Sequence, residues 1–211
     1  MGLHAVAVGN SALLTQNFSD GTQNYNTAVG TFAGKLITSG NQNTLMGGGA
    51  GDALIDADNN VAIGFAALSS DRYGSSSVAI GKDALFTQNF ATAASPYNVA
   101  VGHSAGVNVT TGISNILIGG LVGDALNDAD YNTAIGTFAL TTDQMGSRST
   151  ALGYGALQNQ LFTTATNSLN VGVGMEAGYA ITTGVQNTLI GANAGDGLKD
   201  ADHNVAVAFR L

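Results

Sequence analysis

The 211-residue chain has no cysteine and no tryptophan, one proline, six lysines and arginines in all, and only 9% charged residues. Without cysteine, neither disulfides nor thiolate metal centres hold the fold together. A single proline fits long strand ladders, which proline would interrupt. A net charge of −8 with so few basic side chains excludes the clustered positive charge that nucleic acid or an anionic membrane requires. No apolar stretch approaches the roughly 18 residues needed to cross a bilayer. Residues 1–20 also lack a charged segment followed by a signal-like apolar core.

What is abundant is glycine, 30 residues of it, and its placement is periodic. A Val-, Ile- or Thr-led tetrapeptide closes on Gly9, Gly30, Gly47, Gly64, Gly81, Gly102, Gly119, Gly136, Gly153, Gly174 and Gly191, with Ala208 in the twelfth place. The spacings run 21, 17, 17, 17 and then repeat, so four short repeats make a unit of 72 residues. Such a timetable marks a solenoid, in which each coil buries its apolar face only by stacking on its neighbours. The expected fold is all-β: a parallel β-solenoid of about twelve coils forming a single repeat domain over residues 1–211, with units 1–72, 73–144 and 145–211.

Within a coil, the residues three before and one before the closing glycine are β-formers or apolar, as in Val61 and Ile63, and share one face of a strand. The residue between them is Ala, apart from Gly172 and the leucines Leu45, Leu117 and Leu189. A strand with one apolar face and one small face suits burial on both sides. A narrow solenoid has one interior, so the other face is expected to press against another body, and self-association follows. Four residues after the glycine, Leu alternates with Gly by coil type, implying coils of two widths. A second, less regular strand is expected in "YAITTGVQ" and "VNVTTGIS", closed by Thr-Thr-Gly turns whose glycines supply positive φ.

Asparagine precedes the strand in nine coils, as Asn26, Asn43, Asn60, Asn98, Asn115, Asn132, Asn170, Asn187 and Asn204. Asparagine tolerates a left-handed corner, and stacked amides form a hydrogen-bonded ladder, so these positions read as architecture.

"NVAIGFAAL", "NTAVGTFAG" and "NVAVGHSAG" resemble the repeats of YadA-like head domains in trimeric autotransporter adhesins. "ITTGVQNTLIGANAGDGL" is similar to the related repeats of marine bacteriophage tail-fibre proteins. The resemblance covers essentially the whole chain. It implies a left-handed β-roll, three chains around a shared axis, and a place on a virion tail fibre or cell surface that contacts a receptor or glycan.

Nine of the fourteen acidic residues fall in one coil type. They are Asp52, Asp56, Asp58, Asp124, Asp128, Asp130, Asp196, Asp200 and Asp202, and clustered carboxylates make them candidates for structural calcium. The three copies lie four coils apart, roughly 19 Å at a strand spacing of about 4.8 Å, and no EF-hand pattern accompanies them. Turn capping and solubility are the plainer reading. His4, His103 and His203 hold non-equivalent places, and the glycine-rich "GGGAGDA" lacks a Lys-Ser or Lys-Thr pair. No enzyme and no cofactor are expected.

The leading expectation is a structural and adhesive fibre segment, a rod of roughly 55 Å that forms a homotrimer. The first alternative is a filament subunit stacking end to end: residues 1–4 stand in phase with 73–76 and 145–148, and open solenoid edges invite growth. Ice binding is a lesser alternative, since Thr holds the leading strand position in only five coils.

Overall fold

The computed structural model describes residues 4–17 and 23–207; Ala208 and residues 1–3, counted in the periodicity above, lie outside them. The described residues contain no helix. Twelve strands of three residues stand in one sheet in chain order: Val6–Val8, Thr27–Val29, Thr44–Met46, Val61–Ile63, Val78–Ile80, Val99–Val101, Ile116–Ile118, Thr133–Ile135, Thr150–Leu152, Val171–Val173, Thr188–Ile190 and Val205–Val207. Each occupies the three positions before a closing glycine or its equivalent. Each also pairs in parallel, in direct register, with the next: Val6 lies against Thr27 and Thr188 against Val205. The chain therefore makes one circuit per strand, and the fold is a β-solenoid of about twelve turns. The coils are numbered here by these strands, first to twelfth.

The closing glycines stack without room for a side chain. A Cβ on Gly119, where φ is +143°, would lie 2.7 Å from the carbonyl carbon of Gly136 in the next coil. Backbone passes directly over backbone at this corner, which is why glycine recurs there.

The small face of each strand turns inward. Ala28, Leu45, Ala62, Ala100 and Leu117 are fully buried, whereas the flanking Val, Ile and Thr residues look outward. The two coil types fill the interior from opposite walls. Leu117 occupies the space over Gly106 and Gly123, where a Cβ would come within 2.7 and 2.9 Å of its methyl carbons. In the fourth, fifth, eighth and ninth coils, where the strand supplies alanine, Leu68, Leu85, Leu140 and Leu157 arrive from the far wall, all fully buried. The next inward position, seven residues after the glycine, follows the same division. It is Ile37, Leu54, Val109, Leu126, Ile181 or Leu198 in glycine-type coils, but Gln16, Asp71, Gln88, Asp143 or Gln160 in leucine-type coils, and all but the half-buried Leu198 are buried.

Three expectations are corrected. "YAITTGVQ" and "VNVTTGIS" contain no strand. The described second pairing is instead Gly146–Ser147 with Thr166–Asn167, together with a single bridge from Gly74 to Ala94, so the extra residues of the long coils supply it. Gly112 and Gly184 of the Thr-Thr-Gly turns do not have positive φ. They are glycines because a Cβ would run into the carbonyl oxygens of Ala129 and Ala201 one coil on. The left-handed corner residue is not the asparagine but its predecessor, such as Tyr97 at φ 52° or Ser114 at φ 57°. Leaving that corner, the asparagine can project its amide into the coil.

Candidate functional surface

Three features of the solenoid could carry function: the outward strand face, the polar seam behind it, and the rim that holds the aspartates. The outward face comes from the first and third residues of all twelve strands. None of these residues is charged. Five of the first-column positions are threonine (Thr27, Thr44, Thr133, Thr150 and Thr188), and the second column has no threonine at all. Ile116 and Ile190 are 40% exposed and Met46 is 43% exposed, so the strip is apolar and open to water along the length of the sheet. Exposed rings border it: Tyr97 and Tyr131 stand at the corner before the strand, the latter under the guanidinium of Arg148, and Phe65 and Tyr154 stand just beyond the glycine.

The asparagines lie behind the strand entrance, and all but Asn204 are fully buried. Asn43 donates its backbone N–H to Oδ1 of Asn26 at 2.9 Å, Asn60 does so to Asn43 at 3.0 Å, and Ser77 to Asn60 at 2.9 Å. Every amide except that of Asn204 also donates across the coil: Asn26 to the Gly40 carbonyl at 2.7 Å and Asn115 to the Ala129 carbonyl at 2.8 Å. One side chain thus ties a strand to the coil above it and closes its own coil. The ladder runs in three-asparagine segments and stops at Ser77 and Ser149.

At those stops sits a polar group that the sequence reading did not single out. Asp71 is fully buried, and its Oδ2 accepts from Gln88 Nε2 at 2.6 Å. Its Oδ1 accepts from the backbone N–H groups of Gly74 and Phe90 at 3.0 and 3.2 Å. Asp143 repeats this with Gln160, Gly146 and Phe162. Gln88 and Gln160 use their Oε1 atoms to accept from Asn98 and Asn170, both at 2.8 Å. Burial raises the Asp143 carboxyl above the ordinary range, against the opposing pull of the Gln160 amide and the Phe162 and Gly146 N–H groups. These pairs join the fourth coil to the fifth and the eighth to the ninth, the boundaries between 72-residue units. The available signal was positional: a carboxylate and an amide fall where other coils carry Ile, Leu or Val.

The aspartate coils bind their neighbours. Asp56 accepts from Ser39 Oγ at 2.6 Å, Asp128 from the Thr111 hydroxyl, and Asp200 from Thr182 and Thr183 at 2.6 and 2.9 Å. Those hydroxyls hold the Asp200 carboxyl below its usual value. Asp58, Asp130 and Asp202 each accept a backbone N–H from the preceding coil at 2.8 Å, from Asn41, Ile113 and Val185. Asp52 accepts from Ser69 at 2.7 Å. Asp124, raised chiefly by burial, keeps one buried oxygen without a hydrogen bond. Among the described residues no group of three His, Cys, Asp or Glu stands close enough together to hold a metal ion. Beside Asp52, a groove of about 420 Å³ opens between Phe32 and Phe65 over Gly48 and Gly49.

No family model, curated protein or solved structure matches the chain.

Proposed function

We propose that the chain is a segment of a structural and adhesive fibre, a stiff rod whose outward strand face packs against further copies of itself. The observation that carries this is the uncharged, apolar strip along all twelve strands, with alanine and leucine already filling the interior behind it. An exposed apolar surface of that length marks an interaction face, and the repetition of the strip favours an equally repetitive partner. A trimer around a common axis, as the resemblance to YadA-like heads and phage tail-fibre repeats implies, would cover it. The rims, with the Phe32–Phe65 groove and the long loops, would then be left to meet a cell-surface receptor or glycan, on a virion tail fibre or an extracellular surface. Chemistry has no place in this reading: seven of the nine clustered aspartates accept hydrogen bonds from a neighbouring coil, and the chain acts by shape.

The test is sedimentation velocity on the wild type and on Val101→Lys with Ile118→Lys, two outward positions at the middle of the strip. The expected outcome is a discrete small oligomer for the wild type and a monomer of unchanged circular dichroism for the variant. A wild type that is monomeric at every concentration would overturn the proposal.

A further inference from the structure

The Phe32–Phe65 groove exists because one coil carries no side chains where its neighbours carry rings. The two places after the closing glycine hold Thr31 and Phe32 in the second coil, Gly48 and Gly49 in the third, and Phe65 and Ala66 in the fourth. The fold requires neither glycine. A Cβ on Gly48 would make only ordinary contacts, the nearest at 3.5 Å to the Phe65 ring, and one on Gly49 would meet nothing nearer than the Asp52 carboxyl carbon at 4.0 Å. Gly49 has φ +66°, yet its equivalents in the other two units, Leu121 at φ 53° and Asn193 at φ 56°, carry side chains in the same conformation. What the missing side chains leave is a slot of about 420 Å³ walled by two phenyl rings. Both rings are open to water, Phe32 being 43% and Phe65 62% exposed.

The electrostatics of the slot select its occupant. Asp52 lines it and accepts from Ser69 at 2.7 Å. Among the described residues no ion pair reaches this carboxylate: Lys82 pairs with Asp83, and Lys35 lies over the Phe32 ring with Nζ 5.0 Å from the centroid. No lysine or arginine lines the slot. A carboxylate without a counter-charge repels phosphates and other anions, and a single carboxylate supplies too few ligands for a metal ion. Phenyl faces beside a carboxylate favour a cation with an apolar shell, because the negative face of the ring attracts positive charge within about 6 Å of its centroid. Phe32 and Phe65 stand two coils apart, roughly 9.6 Å at about 4.8 Å per strand. A cation midway is therefore about 5 Å from the level of either ring, within reach of both. We propose that the slot binds a quaternary ammonium group, the trimethylammonium of choline or of a choline headgroup, with Asp52 as its counter-charge. The occupant is thus specified for the rim that the fibre reading leaves to a receptor, and the slot's access to solvent in the assembly rests on that reading.

The test titrates choline into the isotope-labelled full chain and follows the backbone amide signals of Gly48, Gly49 and Asp52. Saturable shifts with a Kd of about 1 mM are expected. The neutral isostere in which carbon replaces the ammonium nitrogen, and methyl glucoside, should each bind at least tenfold more weakly. Asp52→Asn, which keeps an oxygen for Ser69, should weaken choline about tenfold, and Gly49→Leu, which puts back the side chain that Leu121 carries in the seventh coil, should abolish binding. Glycerophosphocholine separates the sources: if it shifts the same amides the slot takes a headgroup, and if choline alone does so the slot takes the free cation. Absence of shifts, or equal binding of the isostere or the glucoside, would overturn the proposal; that comparison needs no variant and decides alone if a substitution disturbs the coil. Oligomeric state is read separately by sedimentation. Choline that binds the chain carrying Val101→Lys and Ile118→Lys but not an oligomeric wild type would place the slot inside an interface and overturn it as a receptor site. Choline that binds a monomeric wild type would uphold the slot while the fibre reading fails.

Discussion

Gly119 and Gly120 are adjacent in sequence and opposite in what they tolerate. At Gly119 a Cβ meets the Gly136 backbone, and the φ of +143° is one that side-chain-bearing residues rarely adopt; at Gly120 a Cβ meets nothing within 4 Å. Gly119→Ala should therefore cost at least about 3 kcal/mol in urea denaturation, while Gly120→Ala should stay within about 0.5 kcal/mol of the wild type. Equal effects would mean that the backbone stacking at this corner is not what requires glycine. The contrast also shows what the sequence could and could not convey. Periodicity picks out Gly119 because it recurs, but it cannot say that the left-handed corner falls one residue before the asparagine. That position is held by Tyr97, Ser114, Arg148 and Leu169 alike, so the conformation is imposed by coil closure and leaves no residue preference to read.

At the scale of the coil, the interior is governed by complementarity between walls. Both the apolar pair and the alanine of a strand are hydrophobic enough to be buried, so polarity could not choose the inner face. Space does: Leu85 or Leu117 from one wall leaves room only for alanine or glycine opposite. The same fit makes the buried aspartates conspicuous. Nine of the fourteen acidic residues cluster on the rim, yet among the described residues Asp71 and Asp143 are the ones taken into the core. Burial raises the Asp143 carboxyl, so the folded state holds its proton more tightly than the unfolded state. Its folded pKa lies above the ordinary carboxylate range. The favourable linkage is thus complete below the unfolded value and is lost as pH rises through the folded one. The stability difference between the wild type and Asp143→Asn should therefore move in favour of the wild type as pH falls from neutrality toward 4. Denaturant midpoints measured at intervals across that window check it, and a difference independent of pH would show that the three N–H donors fully offset desolvation.

For the whole molecule, contacts run between successive coils, so stability is a sum of nearest-neighbour terms rather than the property of a single central core. Position along the rod should then matter as much as burial. Leu117 in the seventh coil and Leu189 in the eleventh are both fully buried and pack against equivalent glycines, Gly106 and Gly123 or Gly178 and Gly195. In a globular protein, truncating either to alanine would cost a similar share of about 2–5 kcal/mol. In the solenoid the two should part. Leu117→Ala weakens the stack where coils press from both sides, so it should lower the midpoint of the main unfolding transition. Leu189→Ala lies one coil from the last described strand, and the rod can shed that end while the rest remains stacked. It should leave the main midpoint nearly unchanged and instead speed amide hydrogen exchange in residues 171–207. Exchange that quickens uniformly along the chain in both variants would show the rod unfolding as one cooperative block. In that case the polar joints at Asp71 and Asp143 would be transmitting stability between units as fully as the apolar coils do.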